Sequence, residues 1–457
     1  MNDGRPATSS ADPAAGRSHE RPSLERALGR WDLTAFGVNI VIGGGVFLTP
    51  SLVAAELGNW SPIAVVAVGL IVLCIAVSYA EVGSRFDSTG GPYLYSLAAF
   101  GPFIAFEVGW MSWFTRVASI AAIVHGLAIA IAYFMPAIGA GLPRLALVSG
   151  VILGFGLLNA RGIRQSAMVI NGITLAKLLP LAIFIVLGLA FIDWSRLAPL
   201  PEIAPSQVGA GVLLLIYAYG GYEVMGVPAG ETRRPRTDLV SAMVMTVAIC
   251  AVVSLLVQII TMTVMADIAQ SQRPVADGAA IFLGPAGAVM IGIGSIVAIL
   301  GNGIGSLLGA SRYIYAFAET GVIPRYFAYI HPRYRTPTRA VWFSVAVALF
   351  LALSGSFVLL LAASVIARLI TYVGVSGAAL MLRRPKFAGR VAPAAFTVPF
   401  GPLVPTVAVV ASSAIVLGAT PPQLAVGGAA LAAGALLFFA TRWAARRNKP
   451  ARQGQAG

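Results

Sequence analysis

The sequence predicts an all-α integral membrane protein of twelve transmembrane helices. The first ten form two inverted five-helix repeats with broken leading helices, and two more helices follow at the C-terminal end. Three observations predict it. Hydrophobic residues make up 58% of the chain and charged residues 11%, with a mean hydropathy of +0.86; soluble domains carry roughly 25% charged residues. Apolar runs able to cross a ~30 Å hydrocarbon core at ~1.5 Å per residue recur twelve times. Two of these runs, the first and the sixth, are interrupted by clustered glycines.

Taken in order, residues 1–30 are polar, dotted with Ser, Pro and Arg, and lack the apolar core of a signal peptide. They are expected to be a disordered tail. Spans fall at about 33–56, 61–84, 102–134, 145–160, 167–192 and 208–229, then at about 239–266, 286–318, 338–354, 356–382, 400–418 and 424–443. The first repeat thus occupies 31–192 and the second 208–390. Helices 11 and 12 take 400–443, and 444–457 is a C-terminal tail. An even count puts both ends on one side. Most of the 31 lysines and arginines lie on that side, leaving Arg144, Arg196 and Arg273 in the opposite loops. Such a bias marks the cytoplasm. Both termini are therefore expected to be cytoplasmic, in a multi-pass protein of the cytoplasmic (inner) membrane. The net charge of +14 reads as a topology signal, so the expected partner is the lipid bilayer and not nucleic acid.

Cys74 and Cys250 sit in apolar runs without CxxC spacing, and His19, His125 and His331 form no ligand pattern. Neither a disulfide, a metal nor a cofactor is expected.

The glycines carry the functional signal. "VIGGGVFLTP" (41–50) places Gly43, Gly44 and Gly45 inside a would-be helix, where each costs about 1 kcal/mol relative to alanine. "YAYGGYE" (217–223) does the same to the sixth span with Gly220 and Gly221. Five crossings are an odd number, so a following copy is inverted, and breaks at matching positions of inverted halves point to a central binding site. Helix 1 enters from the cytoplasm. Its second half, starting near Gly45, aims free N–H groups and a positive dipole at the bilayer centre, which suits a carboxylate. Helix 6 enters from the other side and ends its first half near Tyr217–Tyr219, offering carbonyls to an ammonium. The pair describes a receptor for a zwitterion. Arg116, Lys177, Arg368 and Glu223 lie within spans, with Glu81 and Glu107 near helix ends. At ~3 kcal/mol or more for a Lys or Arg at mid-bilayer, such groups normally face a bundle interior or a watery cavity.

Four segments in sequence resemble the amino acid–polyamine–organocation (APC) superfamily. They are the helix 1 stretch, "SYAEVGSRFDSTGGPYLY" (78–95), "YAYGGYEVMGVPAGETRRPRTDL" (217–239) and "SRYIYAFAETGVIPRYFAYIHPRYRTP" (311–337). The resemblance covers about residues 30–390; helices 11 and 12 match mainly by hydropathy. It implies a LeuT-type fold and transport of amino acids or related amines. It implies carboxylate-side contacts at Ile42, Gly43, Gly44 and Gly45, and ammonium-side contacts at Tyr217, Ala218 and Tyr219, with Gly220 at the break. Tyr217 would also be an aromatic gate. Lys177, in "ITLAKLLPLAIF", matches a helix 5 lysine of sodium-independent members, where its ammonium replaces a sodium ion, and a buried lysine is a candidate proton exchanger. Glu223 would be a pH sensor, an amine contact or a carboxylate bonded to helix-break amides. Asn302, in "GNGIGS", would line the site or join two helices. Arg116 and Arg368 take no role from the resemblance.

The leading expectation is a secondary transporter of amino acids working by alternating access, sodium-independent, and proton-coupled or exchanging. A polyamine or cationic amino acid antiporter is the alternative that Glu223 favours, although the three intramembrane cations speak against it. A non-transporting amino acid sensor comes third, with no long soluble segment for output. An enzyme is not expected: HExxH, GxSxG and paired catalytic acids are absent from the spans.

Overall fold

The computed structural model describes residues 24–354 and 357–447. Residues 1–23 and 448–457, the larger parts of the two expected tails, lie outside the described residues. Fourteen α-helices order the described chain. The first half contains α1 (Arg30–Val41), α2 (Gly44–Leu57), α3 (Ser61–Gly83), α4 (Pro92–Phe100), α5 (Pro102–Phe134), α6 (Gly141–Ala160) and α7 (Ile163–Gly188). The rest contains α8 (Pro205–Tyr219), α9 (Pro235–Val264), α10 (Pro274–Glu319), α11 (Thr338–Ser354), α12 (Phe357–Leu382), α13 (Leu403–Leu417) and α14 (Pro421–Arg447). Proline opens α4, α5, α8, α9 and α10, at the one helical position where its missing N–H leaves nothing unpaired.

Among the described residues, nine helical stretches are long and apolar enough to cross a membrane, where the sequence predicts twelve. The difference has two causes. Gly44–Gly83 takes in two predicted spans as one stretch, because only a three-residue turn separates α2 from α3. Thr338–Ser354 and Leu403–Leu417 are apolar but shorter. The short helix α4 has no counterpart among the predicted spans; it is bounded by Gly91 and Gly101 and lies beside α5.

The two breaks stand where the glycines predict them. α1 stops at Val41 and α2 restarts at Gly44. α8 stops at Tyr219, Gly221 takes φ 137°, and a 3-10 turn runs over Tyr222–Gly226. That φ is one L side chains rarely adopt, which is why glycine is needed there. α5 packs along both α10 and α12, and α1 lies against α7, α9 and α10, so the breaks face α5, α10 and α12 from inside the bundle.

Both ends of this interior are closed. At the N-terminal face, Leu28 N donates to Glu231 O (3.0 Å) and Arg233 N to Leu28 O (2.8 Å), so the segment before α1 pairs with the loop after the second break. Beneath it the Glu231 carboxylate accepts two bonds from Arg312 of α10, Nε at 3.0 Å and Nη2 at 2.8 Å, with both side chains buried. At the opposite face, Asn59 and Trp60 donate to the carbonyls of Pro199 and Pro201, both at 2.9 Å. Gln258 of α9 donates to Pro50 O of α2 (3.1 Å).

Candidate binding site at the helix breaks

A helix end leaves four carbonyls or four N–H groups without intrahelical partners. At the end of α1 two of the carbonyls are answered by side chains. The Lys177 amino group, from α7 and wholly buried, donates to Asn39 O (2.6 Å) and Asn39 Oδ1 (2.9 Å). The Asn39 amide in turn donates to Gly301 O of α10 (2.6 Å). Asn302, the next residue, donates to Ile40 O (2.7 Å) and accepts from Ser306 Oγ (3.0 Å). Lys177 thus joins α7 to the end of α1, and the Asn39 amide joins that end to α10. Asn302 both joins helices and lines the site.

The second break is held by charge. Glu223 Oε2 accepts from Gly221 N (2.7 Å) and from Tyr372 OH (3.3 Å). Its Oε1 accepts from Arg116 Nη2 of α5 (2.5 Å) and from Arg368 Nε of α12 (3.1 Å). All three charged side chains are buried, at 2% exposure for Arg116, 4% for Glu223 and 3% for Arg368. Arg368 Nη1 has no hydrogen-bond partner among the described residues. Its guanidinium lies over Gly220, where a Cβ would overlap it. Of the three roles that the sequence leaves open for Glu223, pH sensor, amine contact or carboxylate on the break amides, the structure shows the bonding of the last, to the Gly221 amide, together with two arginines that the sequence does not foresee.

Between the breaks lies a small cavity of about 20 Å³, about the room one water needs. Of the candidate residues, Gly45, Tyr217 and Gly220 line it, together with Ile40, Val41 and Asn302. The far wall is Arg116, Ser119 and Ile123 of α5 with Arg368 of α12. The other candidates stand around it. A Cβ on Gly43 would meet Asn302, and one on Gly44 would meet Ile299 at 3.3 Å, whereas one on Gly45 would meet the Ala218 Cα at 3.3 Å and the Tyr217 ring at 3.8 Å. Of the three consecutive glycines only Gly45 itself lines the cavity. Ile42 is fully buried, Ala218 backs Gly45, and the Tyr219 hydroxyl turns away to Val65 O of α3 (2.9 Å). Neither Glu81 nor Glu107 bonds to the intramembrane arginines among the described residues. Glu81 binds Arg383, with Nε at 2.7 Å and a second contact from Nη2, and accepts from Val398 N (2.8 Å). Both Glu107 oxygens are buried and make no hydrogen bond among the described residues.

Asn39, Ser119, Arg116 and Arg368 are what sequence reasoning misses or leaves without a task. The arginines have a signal: a cation at that depth must face something polar.

A family profile described as "Amino acid permease" matches residues 28–440. Among curated proteins the chain is 28% identical over 423 residues to the branched-chain amino acid permease BcaP of Bacillus subtilis, covering 87% of this chain and 89% of that protein. It is 29% identical over 419 residues to the serine/threonine exchanger SteT of the same organism, covering 88% and 92%. It is 26% identical over 406 residues to that organism's methylthioribose transporter, covering 84% and 86%. The last of these is named for a sugar derivative, so likeness over most of the chain leaves the cargo open.

Proposed function

This chain belongs to the amino acid permease family, and from that premise we propose that it carries amino acids across the cytoplasmic membrane by alternating access. It is a multi-pass membrane transporter and not an enzyme. In our reading it crosses the membrane twelve times, with both termini in the cytoplasm. Residues 31–192 and 208–390 are two inverted LeuT-type repeats, and 400–443 are additional helices. The site between the breaks takes the substrate carboxylate on the freed amides at the start of α2, with Gly45 at the contact. Tyr217 closes over it.

One observation carries the reading. The interrupted end of α1 is tied to α7 and α10 by Lys177, Asn39 and Asn302 around a small cavity at the bundle centre. A rigid packing fault would need no such dedicated partners. Lys177 does here what a bound sodium ion does in sodium-coupled relatives, so transport is sodium-independent and runs by proton coupling or exchange. The cationic-substrate alternative rests on a Glu223 free to meet an amine, and two arginines already hold that carboxylate.

Reconstitution of the full chain into liposomes tests this. Radiolabelled amino acid uptake, driven by internal unlabelled amino acid or by a proton gradient, is expected in buffers free of sodium. A strict sodium requirement would remove the role given to Lys177. No uptake of any amino acid would remove the proposal itself.

A further inference from the structure

The cavity carries more positive charge than the receptor for a zwitterion requires. Its wall holds two arginines, and the one carboxylate that bonds to them among the described residues, Glu223, is shared by both. Two buried polar groups on this wall have no hydrogen-bond partner among the described residues, Arg368 Nη1 and Ser119 Oγ. Arg368 and Ser119 are 3% and 6% exposed and both line the cavity. An unpaired donor on a buried cation is costly to keep; nearly every buried polar group in a native protein finds a partner.

The position of Arg368 sharpens the point. Its guanidinium rests on Gly220, just past the carboxyl end of α8. That end is the negative pole of the helix, the place where the sequence suggests a substrate ammonium. A fixed cation of the protein already occupies it. What the wall lacks is an anion.

We propose that the substrate of this site carries a net negative charge: beyond the carboxylate received by α2 it brings a second one, which binds Arg368 Nη1 and Ser119 Oγ. In an amino acid permease this is a dicarboxylic amino acid, aspartate or glutamate. Its second carboxylate brings the cluster of Arg116, Arg368 and Glu223 to neutrality. Its ammonium keeps the carbonyl end of α1, where Val41 lines the cavity. The inference rests on the permease reading, and the test separates the two.

The purified full chain would be heated with L-glutamate, L-aspartate, L-glutamine, L-leucine, L-lysine or succinate, and the same compounds would compete for uptake in liposomes. Glutamate or aspartate is expected to bind about 10- to 100-fold more tightly than glutamine or leucine, the worth of a hydrogen bond to a charged group. Arg368→Gln is expected to bring the glutamate-to-glutamine ratio close to one. If that variant does not fold, the ratio in the unaltered protein decides alone. Glutamine, leucine or lysine binding as well as glutamate would overturn the inference and leave the permease reading standing. Succinate binding with no response to any amino acid would overturn the permease reading while upholding the second carboxylate. No response to any of the six would overturn both.

Discussion

Two buried clusters of carboxylate and guanidinium sit in this chain, one within its second half and one joining α5 of the first half to the second break, and they differ in arithmetic. At the N-terminal face Glu231 meets a single Arg312, two bonds to two oxygens, with no charge left over. At the centre Glu223 meets both Arg116 and Arg368, and a nitrogen of Arg368 is left without a partner among the described residues. Both sit behind almost complete burial. The balanced pair is satisfied within itself. The unbalanced one keeps a spare donor and, on our proposal, is completed by the substrate. On the reading proposed above, equal burial and like residues serve as a latch in one place and as a receptor in the other, and the count of charges tells them apart.

The largest expected effect comes from unbalancing the latch. Glu231→Gln leaves Arg312 buried without an anion, which costs about 3–5 kcal/mol. Thermal unfolding in detergent should show it as a large drop in Tm, and Glu231→Gln combined with Arg312→Gln should recover much of the loss. If the double variant is no better than the single one, the pair is not acting as a unit.

Balancing the receptor should cost less. Arg116→Gln removes one bond to Glu223, which keeps Arg368, Tyr372 and the Gly221 amide. The loss is about 1.5–3 kcal/mol, the worth of a hydrogen bond to a charged group, and the Tm change should be visibly smaller than for Glu231→Gln. An equal or greater drop would mean that the central cluster, too, is chiefly structural.

Lys177 is the limiting case, a basic group whose bonds go to an amide and a peptide carbonyl. Lys177→Met keeps most of the aliphatic volume but leaves Asn39 O and Asn39 Oδ1 short of a donor, at about 1–3 kcal/mol for an unsatisfied buried group. That is enough to shift the balance of inward and outward states roughly tenfold. Uptake should collapse in the variant while the protein still inserts and purifies. Normal uptake would make the lysine a brace with no part in transport.

At the other extreme stands the pair of Arg196 and Asp193, 3.3 Å apart with both side chains about half exposed. Exposed pairs of this kind are screened by water and salt. Arg196→Ala should leave both Tm and uptake unchanged, and a change in either would give that loop a role that burial does not suggest.

How much of this is legible in the sequence follows the same division between local and distant. The breaks are legible because three glycines in a row, or two at a matching place in the other half, weaken a helix too much to be mere packing. α1 and α8 stop within a few residues of where "VIGGGVF" and "YAYGGYE" put them. The orientation of α2 is not legible. Gly43, Gly44 and Gly45 are adjacent letters, yet they face Asn302, Ile299 and Ala218 respectively, and only the packed helix says which one looks into the cavity. The fate of Glu223 is hidden for a different reason. Its partners lie 107 and 145 residues away, and their meeting depends on α5, α12 and the second break converging. Arginines at that depth need company, but their letters do not say whose.

Gly220 and Arg368 also bind each other's history. A β-carbon at 220 would overlap the guanidinium that Glu223 holds across it, so in lineages descended from a common ancestor the two positions constrain each other. A permease that has acquired a β-carbon at the place of Gly220 should have surrendered or moved the arginine opposite, and with it, on our proposal, the second carboxylate. The order of the changes matters as well: losing the arginine first opens the way for the alanine, whereas the reverse passes through an ancestor with a collision at the heart of its site. Aligned relatives, sorted by those two columns alone, should therefore fall into groups of differing cargo.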